Sequence, residues 1–74
     1  MDFARRLRTM RAARGFTQIE LADVAMTTQF FISAIEQGKM LPAPDLEMRL
    51  RKVLDWGELE DKAFEILGRE AEPA

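Results

Sequence analysis

Residues 17–39 read TQIELADVAMTTQFFISAIEQGK, and this stretch decides the fold. Thr17 and Glu20 have the spacing of a capping box, in which each side chain bonds a free backbone amide at the start of a helix. Thr28 is the next residue that can cap a helix, and Gly38 suits the end of that helix. The stretch therefore predicts two short helices joined by a turn of about three residues.

A first helix is predicted between Asp2 and Gly15. Asp2 can cap its start, and Phe3, Leu7 and Met10 recur at the spacing of a single helix face. Gly15 supplies the left-handed residue that ends many helices. This helix should bury one face against the two helices that follow it.

Two further helices are predicted after the quoted stretch. Pro44 fits the first position of a fourth helix, whose apolar residues run from Leu46 to Leu54. A fifth helix is predicted over about residues 58–67. It should end near Gly68 and leave residues 69–74 as a polar tail.

These elements predict an all-α fold in which five helices form one compact domain over residues 1–68. The helix-turn-helix formed by the second and third helices occupies about residues 17–37. A chain of 74 residues has room for one hydrophobic core, and a core of this size gains stability from association with a second copy.

The composition argues against catalysis and metal binding. The chain has no cysteine and no histidine, so it lacks thiolate ligands and the commonest general base. Glu60 and Asp61 are adjacent on a helix rather than convergent, and such acids are predicted to form a solvated face. We therefore expect no enzyme activity, no catalytic residue, no metal site and no cofactor.

The apolar runs are too short to cross a bilayer, and the start of the chain lacks the apolar segment of a signal peptide. A cytoplasmic protein with no membrane partner is expected. The net charge of −2 and pI near 5.1 argue mildly against a nucleic-acid partner. The charge is uneven, however, because residues 1–14 carry five arginines and one acid while residues 45–74 carry nine acids and five bases.

A basic helix followed by a helix-turn-helix is the arrangement that lays a second helix in the major groove of DNA. The residues add detail to this pattern. Leu7-Arg8, Arg11, Arg14-Gly15-Phe16-Thr17-Gln18 and Glu20-Leu21-Ala22 resemble the Cro/C1-type (XRE) repressor family, as does the stretch from Ile32-Ser33 through Ile35-Glu36 and Gly38-Lys39 to Pro42. The resemblance runs without a gap from Leu7 to Pro42 and more loosely to Leu54.

The resemblance implies a lambda-repressor-like fold and a sequence-specific, repressor-like transcription regulator that binds duplex DNA, with residues 29–37 as the recognition helix. It assigns Gln18 to a phosphate and Gln29 to adenine, whose N6 and N7 a planar amide can bond together. The other residues it assigns to DNA are Thr27, Thr28, Ser33 and Lys39. Phe30 and Ala34 of the same helix are further candidate DNA contacts. The resemblance also implies that Arg11 and Glu36 form an internal ion pair.

The resemblance further implies a homodimer on a near-palindromic operator, with half-sites about one helical turn apart. The residues that match the position of the family's dimer contact are Trp56, Leu59, Phe64 and Ile66. An alternative for Trp56 is a fifth helix folded onto its own domain.

Two features depart from the family, one in the turn and one in the recognition helix. Met26 stands where a glycine is usual in the turn, so a residue with a Cβ must accept a left-handed or altered backbone. The recognition helix has no basic residue and carries Phe30 and Phe31, at least one of which should be exposed because neighbours on a helix point ~100° apart.

The two phenylalanines leave three alternatives open. Phe30 packs against a thymine methyl group or wedges into a base step, the aromatic surface binds a protein partner, or Phe31 extends the core toward the fourth helix. The second alternative corresponds to a different function, a protein-interaction module of antitoxin-like or anti-repressor-like character. The affinity for DNA falls as the salt concentration rises, whereas burial of aromatic rings depends little on salt, so the salt dependence of the affinity would distinguish the two functions.

Overall fold

The computed structural model describes residues 2–71, with side chains through Gly68. These residues form five helices and no strand: α1 (Phe3–Ala13), α2 (Gln18–Val24), α3 (Gln29–Glu36), α4 (Pro44–Val53) and α5 (Glu58–Ala71). The predicted all-α, five-helix fold is confirmed. No helix among the described residues is both long and apolar enough to span a membrane.

Side chains cap the first three helices as predicted. Asp2 Oδ1 accepts the amide of Arg5 at 3.0 Å, and the Thr28 hydroxyl accepts the amide three residues later at 3.3 Å. Thr17 and Glu20 form both bonds of the capping box, at 2.9 and 3.1 Å. These bonds satisfy amides that have no partner within the helix, so each helix start is specified locally.

The first four helices end in the same way. In each, a residue with positive φ follows the C-cap: Gly15 (78°), Met26 (59°), Gly38 (76°) and Asp55 (50°). The amide of that residue and the next amide bond carbonyls of the preceding turn, which is the Schellman arrangement. Glycine adopts this backbone without cost, whereas Met26 and Asp55 hold it with a Cβ present.

The core lies where all five helices meet. Its fully buried side chains are Leu7, Leu21, Ile32, Ile35, Leu50 and Leu54. Trp56 and Phe64 extend it toward α5, with the Trp56 ring stacked on Phe3 at 5.1 Å and edge-on to Phe64 at 6.1 Å. The last two helices are therefore folded onto the same domain as the helix-turn-helix.

This packing corrects part of the predicted dimer contact. Trp56 and Phe64 are only 3% and 4% exposed, so their side chains are not available to a second copy of the chain. Leu59 and Ile66 are 77% and 52% exposed and remain accessible. A domain of this size has few large apolar residues with which to build a core, so it buries these aromatic side chains within itself.

Two predictions about α5 were wrong. The helix continues past Gly68 to Ala71, because a glycine lowers helix propensity by ~1 kcal/mol without forbidding the helix. Residues 69–71 are thus helical rather than tail, and residues 72–74 lie outside the described residues. Asp61 is not a solvated acid, because its oxygens accept from Arg6 (3.4 Å), Arg51 (3.0 Å) and the Trp56 indole (2.9 Å).

Candidate nucleic-acid interface

Residues 25–28 join α2 to α3 and are tied to the rest of the domain. Ala25 is fully buried, and its carbonyl accepts from the Arg49 guanidinium of α4 at 2.9 Å. The amide of Thr27 bonds the carbonyl of Ala22 at 2.9 Å. The turn is therefore held by its own backbone bonds and by a cation from α4, which keeps α2 and α3 at one angle.

One side of α3 belongs to the core and the other is accessible. Ile32, Ile35 and Glu36 are buried, whereas Phe30 is 74% exposed and Gln29 is exposed beside it. The accessible side forms a shallow surface hollow of about 520 Å³, here named the α3 concavity. Its lining residues are Gln29, Phe30, Ser33, Ala34, Gln37 and Lys39.

Five of the residues predicted to contact DNA thus meet at the α3 concavity. Thr27 lies outside it, on a neighbouring hollow of about 330 Å³ that Gln29 also lines. Thr28 is the N-cap that precedes α3, and its hydroxyl already accepts the capping bond. A hydroxyl keeps its own hydrogen to donate when it accepts one, so Thr28 retains a donor for a ligand.

Gln37 is a residue of this surface that the sequence analysis missed. Its side-chain nitrogen donates to the Ser33 hydroxyl at 2.8 Å, on the same side of α3 as Gln29. The signal for it was present in the sequence, because positions 29, 33 and 37 follow the four-residue spacing of one helix face.

Glu36 is the centre of a buried polar group that joins three helices. The Arg11 guanidinium of α1 donates to its two oxygens at 2.6 and 3.0 Å and to the Phe16 carbonyl at 2.9 Å. Gln18, the first residue of α2, donates to the same carboxylate at 3.2 Å. The hydrogen bond to Glu36 raises the pKa of the Arg11 guanidinium.

A helix-turn-helix family model matches residues 7–60, from the middle of α1 into the first turn of α5. The chain belongs to the Cro/C1-type helix-turn-helix family. No curated protein and no solved structure matches it. The family is one of DNA-binding transcription regulators.

In this helix-turn-helix domain, Arg11 and Arg14 bind groups of the protein itself. Arg14 donates to the carbonyls of Leu54 and Asp55 at 2.8 and 3.2 Å and so caps the end of α4. Arg11 binds Glu36, the internal ion pair that the family resemblance implied. Nothing near Arg14 in the sequence signals this role, because its partners follow forty residues later.

As a result, the helix-turn-helix surface is poor in positive charge. Lys39 is the one cation among the residues that line the α3 concavity. The exposed acids Glu20 and Asp23 line the neighbouring hollow. Among the described residues, no cluster of three or more acidic side chains is arranged to hold a metal ion.

Proposed function

We propose that this helix-turn-helix protein is a repressor-like transcription regulator that binds duplex DNA sequence-specifically, with α3 in the major groove. The observation that carries the proposal is the α3 concavity, where Gln29, Phe30, Ser33 and Ala34 are accessible on the helix that the family uses for recognition. The recognition side chains are thus free to meet base edges while the opposite face of α3 stays in the core.

Each side chain has a role that its chemistry supports. Gln29 makes no side-chain hydrogen bond among those found in the described residues, so its amide is available to bond N6 and N7 of adenine. Gln18 gives one amide hydrogen to Glu36 and keeps a second for a phosphate at the start of α2. Phosphates or base edges near these two glutamines are contacted by Thr27, Thr28, Ser33 and Lys39.

The functional form is a homodimer on a near-palindromic operator in the cytoplasm. Leu59, Ala63 and Ile66 are exposed and follow one face of α5, beside the face that Phe64 buries. An exposed apolar stripe of this kind supports a contact between copies of the domain. Two domains joined through it would read half-sites about one helical turn apart, ~34 Å along the duplex.

Selection of the purified protein on a randomised duplex library tests this proposal. We expect enrichment of one near-palindromic sequence. Gln29→Ala should then cost ~1–3 kcal/mol at one base pair of the half-site, whereas Gln18→Ala should weaken binding to all duplexes alike. Failure of a folded protein to enrich any duplex would contradict the proposal, as would equal affinity of Gln29→Ala and the parent for the enriched sequence.

A second function, a protein-interaction module, is favoured by one specific observation. The side chains of Ile19, Val24 and Phe30 are exposed. Ile19 lines the same hollow as the acids Glu20 and Asp23, which suits a partner with an apolar and basic surface. Salt separates the two functions. The affinity for DNA falls with salt by ~0.9 in log K per phosphate neutralised, for each tenfold rise in salt, whereas burial of aromatic rings depends little on salt.

A further inference from the structure

Phe30 is a large apolar side chain that the fold leaves uncovered. It is the second residue of α3 and is 74% exposed, with its ring edge-on to that of Phe31 at 5.6 Å and 77°. Phe31 is itself 41% exposed, so this aromatic contact adds little to the core. The ring is supported on one side by its neighbour and open on the side of the α3 concavity.

The residues around the Phe30 ring indicate which kind of chemical group the ring contacts. The other residues of the concavity offer two amides, a hydroxyl, a methyl group and the Lys39 ammonium. Such a lining fits a surface of mixed hydrogen-bonding groups that contains a single small apolar group. The major-groove edge of DNA has this composition, and its apolar group is the 5-methyl of thymine.

We propose that the Phe30 ring packs against the 5-methyl group of a thymine that lies within one base pair of the adenine bonded by Gln29. This inference rests on the proposed function, since it requires α3 to lie in the major groove. A phenyl ring cannot donate or accept a conventional hydrogen bond, so the group it recognises is apolar. Thymine carries a methyl where cytosine has only hydrogen, and Phe30 thereby distinguishes the two pyrimidines.

The proposal also accounts for the shortage of cations on this surface. An interface that recognises sequence through apolar contact and neutral amides needs few basic side chains at the bases. Neighbouring residues on a helix rise by ~1.5 Å and turn by ~100°, so Gln29 and Phe30 can reach the same or adjacent base pairs. The expected half-site therefore contains an A·T pair whose thymine methyl is in contact with protein.

The test uses the duplex enriched by selection, in which each thymine is replaced in turn by deoxyuridine. This change removes only the methyl group and keeps every hydrogen-bonding atom of the base. At one position of the half-site the parent protein should bind about four-fold more weakly, the loss expected for one buried methyl group. Phe30→Ala should bind thymine and deoxyuridine duplexes equally at that position.

Two further variants serve as controls for the effect of Phe30→Ala on methyl recognition. Gln29→Ala should retain the four-fold methyl effect, because it removes the neighbouring contact and leaves the ring. Phe30→Leu keeps an apolar side chain and should retain part of the effect, which guards against a fold change in Phe30→Ala. Urea denaturation should show all three variants folded.

The possible failures are distinguishable. A methyl effect that is the same in the parent and Phe30→Ala, or no methyl effect at any thymine, would overturn the inference and leave DNA binding intact. A folded parent that enriches no duplex would overturn both the inference and the proposed function.

Discussion

Replacement of Met26, in the turn between α2 and α3, directly tests whether its positive φ strains the backbone. Its φ of 59° is left-handed, a conformation that costs an L-residue ~1–2 kcal/mol and costs glycine nothing. Its side chain is 78% exposed, so removing it sacrifices little burial. Glycine gains freedom in the unfolded chain, which opposes the change by ~0.4–1 kcal/mol. Met26→Gly should therefore raise the free energy of unfolding by about 0.5–1 kcal/mol.

Urea denaturation followed by helical circular dichroism measures this change. With an m-value of about 1 kcal/mol/M for so small a domain, the midpoint should rise by about 0.5–1 M. Met26→Ala is the matched control, because it removes the same side chain and keeps the strained Cβ, and its midpoint should stay near that of the parent. A midpoint for Met26→Gly no higher than that of Met26→Ala would refute the reasoning.

Gly15→Ala applies the same argument in reverse. The φ of Gly15 is 78°, and a Cβ added there meets nothing within 4 Å, so the loss of stability measures the conformational cost alone. Its midpoint should fall by an amount similar to the rise for Met26→Gly.

Three other predictions follow from the polar groups. Glu36→Ala leaves the Arg11 guanidinium, whose side chain is 17% exposed, without its carboxylate. Thermal unfolding should show a loss of about 3 kcal/mol, the low end for a buried ion pair. A loss below ~1 kcal/mol would contradict a structural role for the pair. Lys39→Ala should make the plot of log K for the enriched duplex against log salt shallower by ~0.9 per bound domain, and an unchanged slope would exclude a phosphate contact. Hydrogen bonds from the amide and the hydroxyl of Thr17 hold the pKa of Glu20 below its ordinary value of 4.5. The contribution of these bonds to folding stability is therefore complete at pH values above 4.5. It is lost as the pH falls through the lower pKa that Glu20 has in the folded state. Urea midpoints between pH 6 and 2 should therefore fall less steeply for Glu20→Gln than for the parent, and parallel curves would argue against this contribution.

The starts of the helices were predictable because their signals are local. The Thr17 and Glu20 capping box closes within three residues, and so does the Thr28 cap, so each is legible without knowledge of the rest of the fold. The same holds for the left-handed ends at Gly15 and Gly38. Met26 could be named only through the family resemblance, since nothing about methionine itself predicts a positive φ.

The roles of the cations were not predictable for the opposite reason. Arg14 caps α4 across forty residues of sequence, and Asp61 of α5 binds Arg6 of α1 across fifty-five. An arginine on a helix looks the same in the sequence whether it faces water, a carbonyl or a phosphate. Three of the five arginines in residues 1–14 therefore bind groups of the protein itself. Trp56 lies in the core, which agrees with the alternative prediction for that residue rather than with a dimer contact.

One face of α3 is buried in the core and the other is accessible, and this separation is useful for engineering. The buried side chains of α3, Ile32, Ile35 and Glu36, occupy one face, while on the other face Phe30 is 74% exposed and Ala34 is half-buried. A randomised library at positions 29, 30, 33, 34 and 37 would therefore yield mostly folded proteins. New target sequences could be selected from it without compensating changes elsewhere, which makes this short chain a suitable scaffold for reprogrammed recognition.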